Sequence, residues 1–166
     1  MSLAIVYTRA ALGIEAPLIT VEVHLSNGLP GLTMVGLPET TVKEARDRVR
    51  SALINSGYAF PAKKITINLA PADLPKEGGR YDLPIALALL VASEQLNTTR
   101  LNQYEFVGEL ALTGGLRGVP GAIPSAMEAI KAGRRIVVSS DNAAEVGLIG
   151  GSDCLVADQL QEVCAF

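Results

Sequence analysis

The stretch "KKITINLAPADLPKEGGRYDLPIALALLVASEQL", residues 63–96, decides the fold class. At its start, Ile65, Ile67 and Leu69 alternate with Thr66 and Asn68, the period of a half-buried strand. Its last part, "LPIALALLVASEQL" (83–96), is apolar nearly all round, which predicts a central helix rather than a surface one. Asp82 stands where an N-cap is expected. Between them lies a charged, Gly-rich loop, "PKEGGRYD" (75–82). Loops of that design often cradle a phosphate or present a nucleophile at a helix N-terminus.

Neither role suits this loop. A phosphate-binding loop needs G-x-x-x-x-G-K-[ST], and no segment matches it. Asp82 would also compete with an anion for the positive end of the helix dipole. No Ser, Thr or Cys occurs between Asn68 and Leu90, so there is no nucleophile. Glu77 and Asp82 could do acid–base work in principle. They read as exposed and lie beside Lys76 and Arg80, so local salt bridges account for them more simply.

Upstream, "LAIVYT" (3–8) and "PLITVEVHL" (17–25) read as strands, the second with Val21, Val23 and Leu25 inward. His24, the only histidine, falls on the wet face without a ligand partner nearby. "NGLPG" (27–31) is a turn leading into a third strand, "LTMVGL". Pro38 is expected to open a helix over 38–56, with Val42, Ala45, Val49, Ala52 and Leu53 inward and Gly57 as its stop. Lys43, Arg46 and Arg50 then share one outward stripe.

Downstream, "YEFVGEL" and "LALTGGLRGV" read as short strands and "PSAMEAIKAG" as a helix stopped by Gly133. "RRIVVSS" is a buried strand, "NAAEVGLIGG" a short helix and "DCLVA" a last strand. "DQLQEVCAF" begins a helix, with Leu160, Val163 and Cys164 as its apolar stripe, and carries no stop signal. This suggests the first domain of something longer. Early antiparallel strands followed by crossover helices give a mixed α/β, α+β class.

The totals agree with one domain over residues 1–166. Apolar residues make up 49% but aromatics only 4%, so the core must be Val, Ile, Leu and Ala. No run approaches the roughly 18 apolar residues of a membrane span. Arg9 interrupts the N-terminal apolar stretch, unlike a signal peptide, and Cys154 and Cys164 lack metal spacing, so a cytoplasmic protein is expected. A formal charge of −3 argues against a strong lone grip on nucleic acid, yet "KEARDRVR" (43–50) and Lys63–Lys64 are locally basic.

"GLPETTVKEARDRVRSALINSGYAFPAKKITINLAPADLPKEGGRYDLPIALALL" (36–90), followed by "VGELALTGGLRGVPG" (107–121), closely resembles the N-terminal domain of ComM-type proteins. These are the magnesium-chelatase-like AAA+ ATPases of bacteria. The resemblance covers essentially the whole chain and implies a fold like the second domain of ribosomal protein S5. That fold is shared with the Lon proteolytic domain and the C-terminal domain of RadA. Lon's loop reads P-K-D-G-P-S-A-G, with a serine nucleophile. Here Tyr81 or a neighbour takes the serine's place, and "GVPGAIPSAME" (118–128) puts Ser125 or a neighbour where Lon has its lysine. The resemblance therefore implies a domain without a catalytic dyad, so a Lon-type peptidase is disfavoured.

The family implies a hexameric helicase for branch migration in recombination and natural transformation. ATP and magnesium would be bound by a downstream ATPase domain, and this chain itself would hold no cofactor or metal. The RadA-like form of the fold, a ring-forming scaffold that engages DNA, carries a comparable "ALTGGLRGV". Candidate DNA-phosphate contacts are Lys43, Arg46, Arg50, Lys63, Lys64, Arg80 and Arg117. A protein-interaction module that recruits partners to the motor is the alternative, and the net negative charge favours it.

Overall fold

A computed structural model describes residues 2–148 and 154–166. It is a mixed α/β structure of the α+β kind. Strands β1 (Leu3–Arg9), β2 (Leu18–Ser26) and β3 (Gly31–Val35) are followed by helices α1 (Thr40–Lys43) and α2 (Ala45–Asn55). Next come β4 (Lys64–Ala70), α3 (Asp82–Ala92) and the short strands β5 (Tyr104–Phe106), β6 (Glu109–Leu110) and β7 (Leu116–Arg117). Helix α4 (Ala122–Lys131), β8 (Arg135–Ser139), α5 (Ala143–Val146), β9 (Cys154–Ala157) and α6 (Leu160–Cys164) complete the described elements. The expected helix over "NAAEVGLIGG" is seen as α5, and the last three residues of that stretch lie outside the described residues, as does Asp153 of the last expected strand.

The main sheet has the order β1-β2-β4-β3, antiparallel except where β3 runs parallel to β4. Residues Ile19, Val21, Val23 and Leu25 of β2 and Ile65, Ile67 and Leu69 of β4 lie on the inner face, as their alternation requires. His24 is exposed on the outer face. Helix α3 packs on β1, β2 and α2. All of its residues except Val91 are buried, which is why its sequence shows no polar stripe. A parallel sheet of order β5-β8-β9 adjoins β1 through β5, and β6 pairs with β7. A second apolar cluster, including Val107, Ala126, Ile136 and Val138, binds α4 to this sheet.

Four local expectations are corrected. The helix expected over 38–56 begins only at Thr40, because Pro38 is held extended beside Lys76, and it is interrupted at Glu44. The central helix starts at Asp82 with Tyr81 as N-cap, so Asp82 does not cap it. It ends at Ala92 rather than residue 96: Ser93 Oγ donates to the Leu89 carbonyl at 2.7 Å and Glu94 turns to φ +62°. "YEFVGEL" forms two strands rather than one.

Candidate functional site

The loop at residues 71–81 is built inward. Lys76 is 0% exposed. Its backbone pairs with residues 37–39, Lys76 N–H donating to Leu37 O and Glu39 N–H to Lys76 O. Its ammonium donates to the carbonyl of Gly36 at 2.7 Å and to that of Pro71. Burial lowers the Lys76 pKa. Gly36, at φ +106°, permits this turn, since a Cβ there would lie 2.1 Å from Leu69 O.

Arg80 is likewise buried, and here the expectation of a surface phosphate contact is corrected. Its guanidinium donates to Arg9 O (2.9 Å), Pro120 O (2.6 Å) and Ser125 Oγ (3.0 Å). The two stretches set beside the Lon dyad therefore meet in space, but as a structural arginine–hydroxyl bond between the loop and α4. Tyr81 is also inside, and burial pushes its phenol up to about 12.

Asp82 is not an exposed partner of Lys76 or Arg80. It is fully buried, and its carboxylate accepts from Arg48 Nε at 2.6 Å, Arg48 Nη2 at 3.1 Å and the Leu110 amide at 3.1 Å. Burial nonetheless raises its carboxyl from 3.8 to about 6, with the Arg48 bonds pulling it back. This pair ties α2, α3 and β6 together. Residues 34 positions apart make it, so no local spacing announces it.

A cavity of about 630 Å³ lies over this loop and is rimmed by Glu39, Glu77 and Glu109. A hydrogen bond and charge repulsion from Glu77 raise the Glu39 pKa. The lining has a single hydroxyl side chain besides the Tyr81 phenol, that of Thr41, which accepts from Gly78 N–H at 3.0 Å, and no lysine or histidine to activate it. The surface above the loop is thus acidic, an unfavourable place for a phosphate.

The basic candidates divide. Arg46 and Arg50, one turn apart on α2, and Lys63, just before β4, line a single groove of about 390 Å³ with Pro30, Ile54 and Phe60. None of these three cations forms an ion pair among the described residues. Arg50 Cζ sits 5.8 Å from the centroid of the Phe60 ring, and Lys63 Nζ donates to Asn27 Oδ1 at 3.4 Å. Lys43, Lys64 and Arg117 are exposed but do not line this groove.

Sequence reasoning missed Phe60 and its support. Gln95 grips Ala59 through two 2.7 Å hydrogen bonds, one to its N–H and one to its carbonyl, and so fixes the segment that carries the ring. The only signal is an aromatic before a proline, Pro61, in a chain poor in aromatics.

With the geometry in place, comparison with known proteins defines the class. The family described as subunit ChlI of Mg-chelatase matches residues 21–142, and the chain belongs to that family. Within it the chain is of the ComM type. It is 60% identical over all 166 residues to the competence protein ComM of Haemophilus influenzae. It is also 79% identical over 166 residues to the uncharacterized protein YifB of Escherichia coli strain K12 and 38% identical over 154 residues, 92% of the chain, to a Mycobacterium bovis protein. The chain spans about a third of the length of these relatives, 33%, 33% and 31% respectively. Among the described residues, no helix is long and apolar enough to cross a membrane, and no group of three or more His, Cys, Asp or Glu is placed to hold a metal.

Proposed function

We propose that the chain is a non-catalytic N-terminal module of a cytoplasmic, ComM-type AAA+ ATPase, and that it helps to form a hexameric ring and to engage DNA. Its fold is of the ribosomal protein S5 domain 2 and Lon type, with no working dyad. ATP and magnesium belong to the remainder of the longer protein, whose work is helicase-driven branch migration. One relative's name, a competence protein, supports a role with incoming DNA.

The observation that carries the reading is the groove of unpaired Arg46, Arg50 and Lys63. Each can supply a phosphate contact without base readout. A single copy should bind weakly, because three contacts are few and the chain carries −3 overall. A ring that repeats the groove gains through multivalency. The test is a salt titration of DNA binding by the full-length parent, wild type against Arg46→Glu/Arg50→Glu/Lys63→Glu. Each lost contact should flatten the slope of log affinity against log salt by about 0.7–0.9. Equal slopes and affinities would refute the reading. They would favour the second one, a protein-interaction module, for which the acidic rim of Glu39, Glu77 and Glu109 offers the surface.

A further inference from the structure

The groove has a feature that duplex-backbone contacts do not need. Phe60 stands half-buried in its wall with the Arg50 guanidinium over its ring. A phosphate track requires only charge, whereas an aromatic ring paired with a guanidinium plane is a stacking surface for a flat ligand. Its segment is also held in advance. Gln95 fixes the backbone of Ala59 and is itself steadied by donating to Ser93 Oγ at 2.9 Å. The volume, about 390 Å³, falls in the range of small-ligand clefts, about 300–1,000 Å³. Paired bases within a duplex cannot present their faces to such a surface. Unpaired ones can.

We infer that the groove between α2 and the segment leading into β4 takes an unpaired nucleotide of single-stranded DNA, its base stacked at Phe60 and Arg50 and its phosphates at Arg46 and Lys63. This rests on the DNA-engaging reading above and sharpens it. The base takes the place the guanidinium holds over the ring and so lies against residue 60, and Arg50 moves to the base's outer face. Pro30 and Ile54 complete the apolar part of the wall, so the groove favours the base without reading its edges.

The sequence contains no tryptophan, so Phe60→Trp places a single indole at this position. The 166-residue chain carrying that change is titrated at low salt with oligo(dT), with an abasic oligomer of equal length and with a hairpin duplex. Oligo(dT) should quench the indole, and the abasic oligomer should not. In the wild-type chain, affinity for oligo(dT) should exceed that for the abasic oligomer by about 5- to 150-fold, the range expected for one stacked base. Phe60→Leu, which keeps an apolar side chain against the core, should remove most of that preference. Arg46→Glu/Lys63→Glu should weaken both ligands together. If the charge reversals weaken binding while oligo(dT), abasic and duplex ligands bind alike and Phe60→Leu changes nothing, stacking is wrong and the backbone reading survives. If the charge reversals change nothing, the DNA reading of the groove falls with it.

Discussion

Asp82 should make the protein less stable as pH rises, and Asp82→Asn should abolish that dependence. The carboxyl is buried, and its pKa in the folded chain is raised from 3.8 to about 6 because burial disfavours its charge more than Arg48 and the Leu110 amide favour it. A raised folded pKa means that the native state holds the proton more tightly than the unfolded state. The contribution is therefore fully present below the unfolded value and is lost as pH rises through about 6. The full gap is worth about 3 kcal/mol. Between about pH 5 and about pH 8 the linkage relation gives a loss of about 1.4 kcal/mol.

The assay is urea unfolding of wild type and Asp82→Asn at both pH values, taking the difference of differences so that groups common to both chains cancel. The substitution also costs part of the Arg48 pair, but Arg48 is about a fifth exposed and water can replace what is lost. The part of that cost that varies with pH belongs to the Asp82 titration itself, and the remainder is common to both pH values and drops out. If the bidentate Arg48 bond instead held Asp82 ionised, its folded pKa would lie below 3.8 and the double difference would be near zero. That result would refute the claim that burial dominates here.

Leu87→Ala should destabilise by about 2–5 kcal/mol, read as a lower denaturation midpoint, because Leu87 is fully buried on α3 and its loss leaves a cavity. Glu105 bridges Arg9 (2.7 Å) and Arg134 (3.1 Å) while wholly buried, so Glu105→Leu should cost about 3–5 kcal/mol. Adding Arg9→Met should recover most of it, and a double mutant no better than the single would show that the loss is packing rather than an orphaned charge. Gly36→Ala should lower the melting temperature sharply, since the added carbon meets Leu69 O at 2.1 Å and the residue sits at φ +106°. The isolated chain should turn over neither casein-like substrates nor ATP, and turnover above a buffer control abolished by Tyr81→Phe or Lys76→Met would overturn this.

The parts of the fold legible in the sequence are those set by short periods. The inward residues Val42, Ala45, Val49, Ala52 and Leu53 are all buried, and Gly57 and Gly133 both adopt positive φ at helix ends. Charges were harder to place, because a charged side chain is exposed by default and its burial depends on partners far along the chain. Lys76 and Arg80 are satisfied mainly by backbone carbonyls brought from Gly36, Arg9 and Pro120, and Asp82 by Arg48. The start of α1 departs from its local signal for a similar reason: a long-range bridge between Pro38 and Lys76 overrides the preference of proline for a first helical turn. Of the candidate site, the arginines of α2 follow from helical spacing. Their convergence with Lys63 and Phe60 depends on how β4 returns beside α2.

The inward and outward charges have a joint consequence. Because Lys76 and Arg80 are committed inside, the surface over their loop is left to Glu39, Glu77 and Glu109. The segment from Glu39 to Asn55 then carries opposite signs at its two ends: Glu39 and Thr41 border the acidic cavity, and Arg46 and Arg50 border the basic groove. Arg48, between them in sequence, turns away to Asp82 and adds to neither. A polyanion approaching this segment is drawn to one end and repelled from the other, so docking is oriented even without base contacts.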